Sequence, residues 1–575
     1  MSRARQVGGL LLVAGGTALL FVVSRGKWSD PLIDSGREWI VPDALARGEL
    51  LYRDVVYWFG PFTPYFQAAF LSLFGSNFGS LVFAGAVAAV GTLAALSLAL
   101  GRVGPRREAL LWCALAVPAL VFMPNAGGAL LGMGFRIWHA AAFALLAVFL
   151  GTRPSARPAA FAAAGALSGL SALCRTEWGL ATAAAVVLVA FKSGKRPAAK
   201  LIGAGAALAG FVMVFGAVIG FFVLAAGPRA VLEEGHLLFS RLPEETRTFL
   251  VAFSGVRDWR HGIVELLYSA AMWTGFFLLV EMLGLGGKQP EARRFYIRWL
   301  CAIGSLLVIA AIAGGAGGAV IWSAGPAVSA AALLLGAIRL RRPRGRALAA
   351  LGLLGLVLSY RRPFHIGDSA YVGPPLLFAF ASAAGILRLR VARIRLRAGR
   401  RRVRSAFALA IVVLVAGAFV ARLQGYARWE AVPIRGTGGL LTARKEIAAE
   451  IEELAVEVRA QTPGGGTLVV FPEGELLNFL SERDNPIRHK LYLPGYLTRQ
   501  NEADVLRELQ DARPSAIVLW RRPTSEYGPG MFGTDYGVGI RAWIDAEYLV
   551  RPFRAPGGPS RSHSRFLLGL RKARQ

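Results

Sequence analysis

Long apolar segments alternate with short polar loops from the N-terminus to about residue 423. A helix needs about 20 apolar residues to cross a bilayer, and somewhat shorter segments can cross inside a bundle. The pattern therefore predicts a polytopic α-helical membrane protein with about 13 transmembrane helices. The predicted spans are 7–23, 80–101, 108–123, 138–151, 159–173, 178–191, 201–226, 263–285, 298–313, 319–338, 347–359, 373–387 and 406–423.

Basic residues fall in every second loop between these spans, and the segment 388–404 alone contains nine arginines. Loops rich in Lys and Arg stay in the cytoplasm. We therefore expect the N-terminus inside. An odd number of spans then puts the C-terminal region outside. The remaining loops, which are poor in basic residues, carry Asp34, Glu38, Asp54, Glu177, His365 and Asp368.

The composition agrees with a membrane protein, since 55% of the residues are hydrophobic and 17% are charged. The net charge of +30 is explained by the cytoplasmic loops, where it meets anionic membrane lipids. We expect no nucleic-acid partner, because spans flank the arginine run and no known nucleic-acid-binding fold accompanies it. The three cysteines, Cys113, Cys174 and Cys301, lie in or at the ends of apolar segments and offer no disulfide framework.

One predicted external loop, 24–79, is too long to be a simple connection, and we call it the first loop. It contains Asp30, then Asp34-Ser-Gly-Arg37-Glu38, then Leu-Tyr-Arg-Asp54 and Gly60-Pro61. A short helix is predicted over 42–48. The phenylalanines that recur every four residues in 65–74 predict a second helix lying in the membrane interface.

The composition beyond Gln424 becomes that of a soluble α/β domain, predicted over 424–575 after a transmembrane domain over 1–423. Helices are predicted at 442–459, 505–512 and 540–548. Strands are predicted at 467–471, 515–520, 549–553 and 566–570, in a partly parallel sheet. The sequence contains no P-loop, dinucleotide-binding or nucleophile-elbow motif, so nucleotide chemistry is not indicated.

This arrangement resembles that of GT-C fold membrane glycosyltransferases, and the first-loop motifs are similar to those of bacterial relatives of protein O-mannosyltransferases and lipid A aminoarabinose transferases. Those relatives often have Asp-Glu where this chain has Asp34-Ser35. The resemblance implies an inverting glycosyltransferase of the bacterial inner membrane. Its donor would be a polyprenyl-phosphate-linked sugar, and its acceptor a hydroxyl of a glycan, lipid or protein.

An acceptor hydroxyl must lose a proton as it attacks the sugar, and a carboxylate can take it. The resemblance favours Asp34 as this general base, with Asp30 and Glu38 as alternatives. A helix cap or an ion pair with Arg37 is the structural alternative for Asp34. Asp54 either orients the acceptor or binds a metal ion, or it only has a turn or capping role.

Outward cations are candidates for holding the donor phosphate, because charge-assisted bonds stabilise a leaving phosphate. They are Arg361, Arg362, His365 and Arg175, with Arg136 and His139 as weaker candidates. Glu177 and Asp368 are candidates for the acceptor site. The turn-rich segments 471–475, 483–486 and 493–496 are candidate acceptor-binding loops. No cofactor is assigned, and a divalent metal ion is left open.

Two other classes of function fit the same spans: a lipid or solute transporter, and a noncatalytic partner in envelope-polysaccharide assembly. Transporters often contain internal repeats, and none is visible in this sequence.

Overall fold

The structure is a computed structural model that describes residues 3–124, 128–131, 135–154, 157–194, 196–235, 243–248, 325–358, 375–393, 397–553 and 564–572. Two predicted spans, 263–285 and 298–313, lie outside the described residues. The loop that carries Arg361, Arg362, His365 and Asp368 lies outside them as well.

The N-terminal part of the chain is helical. Its helices are α1 (Arg3–Ser24), α2 (Gly36–Ala46), α3 (Phe62–Phe74), α4 (Phe78–Val103), α5 (Arg106–Ala116), α6 (Phe135–Gly151), α7 (Pro158–Ala172), α8 (Thr176–Ser193), α9 (Pro197–Ala226), α10 (Gly325–Ala337), α11 (Pro343–Leu358), α12 (Leu376–Arg393) and α13 (Arg397–Ala427). Short π-helical turns occur at Pro31–Ser35, Val117–Val121 and Arg229–Glu234.

The predicted spans that fall on described residues coincide with helices. Within the described part of the chain, α4 and α9 are long and apolar enough to cross a membrane, and several other apolar helices are shorter. Large apolar side chains of α9 face outward, for example Leu224 (89% exposed) and Met213 (68% exposed). A helix with such a surface is suited to lipid. The full number of spans stays a prediction.

The first loop folds into the π-helical turn Pro31–Ser35 followed by α2 and α3. The predicted helix 42–48 was placed too late, because α2 begins at Gly36 and contains Pro42 in its interior. Proline usually marks the first turn of a helix, so the sequence pattern pointed to the wrong start.

The C-terminal region, residues 424–575, contains a mixed sheet. Its elements are β1 (Val432–Pro433), β2 (Thr442–Ala443), α14 (Lys445–Gln461), β3 (Leu468–Phe471), α15 (Leu476–Ser481), α16 (Glu502–Ala512), β4 (Ala516–Trp520), α17 (Val538–Glu547), β5 (Tyr548–Pro552) and β6 (Phe566–Arg571). The strand order is β3-β4-β6-β5, and only the β3–β4 pair is parallel. The partly parallel sheet is confirmed.

Alternate residues of β3 belong to two different cores. Leu468 and Val470 join an apolar cluster that is continuous with the helix bundle, whereas Val469 and Phe471 join a smaller cluster on the other face of the sheet. Successive side chains of a strand point to opposite faces. The sheet therefore packs one face toward the bundle, which brings the loop after β3 next to the first loop.

Candidate functional site

The acids of the first loop have different local roles. Asp30 is exposed and caps the π-helical turn, since its carboxylate accepts hydrogen bonds from the backbone N–H groups of Leu32 (2.9 Å) and Ile33 (3.0 Å). Asp34 lies within that turn and is buried, and its Oδ1 is 3.0 Å from Arg37 Nη2. The structure thus contains the Asp34–Arg37 ion pair, and it assigns the capping role to Asp30.

Glu38 forms a second buried ion pair. Its Oε1 lies 3.4 Å from Nη1 of Arg136, and both side chains are 4% exposed. Arg136, at the start of α6, also donates to the hydroxyl of Tyr57 (3.0 Å) and lies over the ring of Phe59, 4.0 Å from its centre. Burying a carboxylate and a guanidinium costs desolvation free energy, which their mutual attraction must offset. The pair therefore holds α2 against α6.

Arg175, between α7 and α8, reaches the same aromatic ring. Its guanidinium lies 5.3 Å from the centre of the Phe59 ring and donates to Glu177. The first loop approaches the backbone before Arg175 closely at Gly60, where the absence of a side chain makes room. A Cβ at Gly60 would lie 2.0 Å from the carbonyl oxygen of Leu173. Arg175 and Arg136, two candidates from separate segments of the sequence, therefore meet at one point of the first loop.

The loop after β3 brings two further acids to this place. Glu473 and Glu475 are almost fully buried, and Glu473 Oε1 lies 3.0 Å from Arg522 Nε. A Cβ at Gly36 would lie 2.1 Å from the backbone nitrogen of Leu476, so the start of α2 touches the start of α15 directly. Glycine is required at this contact, because any larger residue would push the two segments apart.

The electrostatics link these acids to the first loop. Burial raises the pKa of Glu475 to about 7, while the charge of Arg37 acts against that rise and the charge of Asp34 adds to it. Burial also raises the pKa of Glu473 well above its ordinary range, and Arg522 opposes this effect. A carboxyl with a pKa near neutrality can hold or release a proton at physiological pH.

We call this group the junction cluster. It comprises four acids and three arginines: Asp34, Arg37, Glu38, Arg136, Glu473, Glu475 and Arg522. Its members come from the first loop, the start of α6 and the C-terminal region.

A cavity of about 430 Å³ opens beside the cluster, between the first loop and the C-terminal region. Arg37 and Arg136 line it, together with the aromatic residues Tyr57 and Trp58. Trp58 stacks on Tyr496 of the C-terminal region, with the ring planes at 6°. Asp34 is not among the residues that line the cavity. Two guanidinium groups, with side chains 13% and 4% exposed, and an aromatic wall suit a ligand that carries both an anionic group and a ring.

The other sequence candidates lie elsewhere or belong to local structure. Asp54 accepts from the backbone of Leu50 (2.8 Å) and from Arg53, which holds the pKa of Asp54 below its ordinary range. His139 is buried and bonds Thr63 at 3.1 Å. Glu177 is 44% exposed. Asp54 is therefore built into a turn, apart from the cluster.

Carboxylates are common ligands of divalent metal ions. Within the described part of the chain, no group of three or more His, Cys, Asp or Glu side chains is arranged to hold a metal ion.

Sequence reasoning did not single out Arg37, Glu473, Glu475 or Arg522 as individual site residues. The available signal was the pair of acids in Phe471-Pro-Glu473-Gly-Glu475, directly after a strand that is buried on both faces. Two acids at the end of a buried strand stand at the rim of the sheet, where ligands often bind.

No protein-family model matches the sequence, and no curated protein is similar to it in sequence. Solved structures do match it. The chain superposes on ArnT from Cupriavidus metallidurans, both in the apo state and bound to undecaprenyl phosphate, with a TM-score of 0.52 and 12% identity over 98% of both chains. An oligosaccharyltransferase from Archaeoglobus fulgidus, in a complex with zinc and sulfate, matches with a TM-score of 0.49 and 14% identity over 88% of this chain and 67% of that one. The likeness to ArnT confirms the GT-C fold.

Proposed function

We propose that this chain is a membrane glycosyltransferase. It moves a sugar from a polyprenyl-phosphate-linked donor to an acceptor hydroxyl, with inversion, on the outer face of a bacterial inner membrane. The observation that carries the proposal is the junction cluster on a GT-C fold, in which Arg37 and Arg136 line one cavity and each pairs with a buried carboxylate.

In the reaction that we propose, the acceptor oxygen forms a bond to the anomeric carbon while the bond from that carbon to the phosphate oxygen breaks. The bonding electrons leave with the polyprenyl phosphate, which needs no proton. A carboxylate takes the proton of the acceptor hydroxyl. The chain thus needs cations at the phosphate and a carboxylate at the acceptor.

Arg37 and Arg136 are suited to the phosphate because both line the cavity and their side chains are only 13% and 4% exposed. A guanidinium binds phosphate oxygens through two parallel N–H bonds, and the bonds are stronger where water is excluded. Arg175 lies beside Arg136 at the Phe59 ring and can add to the positive potential. The predicted contributions of Arg361, Arg362 and His365 concern residues outside the described part of the chain.

Asp34 is our proposed general base, and its ion pair with Arg37 explains how it would be controlled. The Arg37 guanidinium stabilises the Asp34 carboxylate at 3.0 Å. A donor phosphate that binds Arg37 provides a second anionic partner and weakens the hold of Arg37 on Asp34. The base then becomes available when the donor is in place. Glu38 is less suited to this role because its charge is committed to Arg136.

The test is Asp34→Asn in the purified full-length chain, assayed by transfer from radiolabelled polyprenyl-phosphate sugars. Asparagine keeps the shape of the side chain but cannot take a proton. We expect kcat to fall by about 10² to 10⁴ with little change in the KM for the donor. If Asp34 only positions Arg37, the KM for the donor would rise instead, and Arg37→Gln would have the same effect.

Asp30→Asn is the matched control, because Asn caps a helical turn about as well as Asp. Its activity should stay close to that of the wild type. Full activity of Asp34→Asn in correctly folded protein would rule out the base assignment. Absence of transfer by the wild type from every polyprenyl-phosphate sugar tested would contradict the proposed function itself.

A further inference from the structure

A second cavity lies at the end of the bundle away from the first loop. It has a volume of about 550 Å³ and is bordered by the end of α4, the end of α6, the turn between α10 and α11, and α12. Helix α4 begins beside the first loop, and its 26 residues span about 39 Å at 1.5 Å per residue. The cavity is therefore about one membrane thickness from the junction cluster, where the sequence predicts cytoplasmic loops.

Arginine dominates the wall of this cavity. Five arginines from three helices and one turn line it, and none of the described residues that line it is acidic. They are Arg102, Arg339, Arg342, Arg344 and Arg388. We call this feature the arginine cavity. Between 336 and 404 the sequence has a single acid, Asp368, which lies outside the described residues.

The protein positions some of these guanidinium groups without using acids. Arg102 donates from Nε to the carbonyl oxygen of Phe149 (3.1 Å) and lies 4.1 Å from the centre of the Phe149 ring. Arg339 donates from Nη1 to the carbonyl oxygen of Leu335 (3.3 Å). A guanidinium has five N–H donors, so these single bonds leave capacity for an anion.

The retention of basic loops in the cytoplasm explains arginines at this end of the bundle, but it does not require them to converge. Arg341 shows the difference, because it lies in the same turn and does not line the cavity. Like charges held around one cavity repel each other, and an anion between them removes that cost.

Most of the rest of the wall is apolar and includes Val103, Leu348 and Leu389. A free inorganic anion makes no favourable contact with apolar side chains. A phospholipid has a phosphate headgroup for the arginines and acyl chains for the apolar residues and the surrounding bilayer.

We propose that the arginine cavity binds the phosphate group of an anionic phospholipid. The lipid would join α4, α6, α11 and α12 at the membrane surface and would be a resident ligand, separate from any donor bound at the junction cluster. This inference does not depend on the proposed sugar transfer.

The experiment uses the purified full-length chain in neutral detergent, with lipid binding followed by native mass spectrometry. The lipids are phosphatidylglycerol, cardiolipin and phosphatidylcholine. We expect the two anionic lipids to bind at least tenfold more tightly than phosphatidylcholine. The variant Arg342→Gln should weaken that binding by about tenfold, the effect of losing a hydrogen bond to a charged group.

Arg341→Gln is the matched control, since it removes the same charge from the same turn but not from the cavity wall. It should change the binding by less than twofold. Equal weakening by both variants, or no preference of the wild type for anionic lipids, would overturn the proposal. A competition arm with inorganic pyrophosphate separates the two sources of phosphate. Retention of pyrophosphate with displacement of the lipid would assign the cavity to a soluble anion and also overturn it.

Discussion

Arginines at the two ends of the bundle have different partners. In the junction cluster, Arg37, Arg136 and Arg522 each face a buried carboxylate. In the arginine cavity, the described partners of Arg102 and Arg339 are backbone carbonyl groups and an aromatic ring. The charges of a buried cluster of both signs compensate each other, whereas the charges of a cluster of one sign repel each other. The junction cluster therefore fits the proposed sugar transfer, and the arginine cavity fits the proposed lipid.

The largest effect expected from this difference concerns Arg136. Arg136→Gln leaves Glu38 buried without its cation, and breaking a buried pair in this way costs about 3–5 kcal/mol. Arg102→Gln, at the other end, removes a bond to a carbonyl group and should cost about 1 kcal/mol. Thermal unfolding of the two variants in the same detergent compares them.

A double variant sharpens the same test. Replacing both Arg136 and Glu38 by Gln removes the uncompensated charge, so much of the lost stability should return. Equal destabilisation by Arg136→Gln and Arg102→Gln would show that the two ends do not differ in the way described.

The next effect is a pH dependence at Glu475. Its pKa is raised to about 7 by burial, so between its ordinary pKa and pH 7 the folded chain keeps a proton that the unfolded chain releases. Stability should therefore fall as the pH rises through this window, by about 3 kcal/mol in all. Glu475→Gln cannot ionise, and the variant should lose less stability than the wild type between pH 5 and pH 8. The melting temperature at each pH measures the difference.

Glu482→Gln is the control for this prediction, because the Glu482 side chain is 74% exposed. It should leave the pH dependence of the wild type unchanged. Glu473 contributes in the same direction as Glu475, so a residual slope is expected in Glu475→Gln. A slope identical to that of the wild type would contradict the burial of an ionising Glu475.

The smallest of the three effects is steric. Gly36→Ala would put a methyl group 2.1 Å from the backbone nitrogen of Leu476 and should cost about 1–3 kcal/mol by overpacking. Gly91→Ala in α4 meets nothing within 4 Å and should be neutral or slightly stabilising. Hydrogen exchange of residues 471–476 should rise only in Gly36→Ala. Unchanged exchange would show that the junction does not depend on this contact.

The helices were predictable from the sequence because the length of an apolar segment can be counted without knowing its distant contacts. The same holds for β3 and β4, whose runs of Val, Leu and Ile are short and flanked by breaks. The start of α2 was missed because Pro42 lies in the helix interior and not in its first turn.

The acids of the first loop were recognised by resemblance, but their partners were not. Asp34 pairs with a neighbour three residues away, which the sequence allowed. Glu473 and Glu475 reach the same cluster from the far end of the chain, and no local pattern encodes a contact of that length. The roles of Asp34, Arg136 and Arg175 in catalysis stay predictions.

The contact between the first loop and the C-terminal region also fixes the order in which the junction cluster forms during synthesis. The side chain of Arg25 donates to the carbonyl oxygen of Gly438 across a separation of 413 residues. Gly36 packs against the backbone of Leu476, which is also made much later. At about 5–20 residues per second, a ribosome needs roughly 20–80 s to make that length of chain. For that time the first loop has its acids and arginines but lacks Glu473, Glu475 and Arg522. A prematurely terminated chain consequently inserts without a finished cluster.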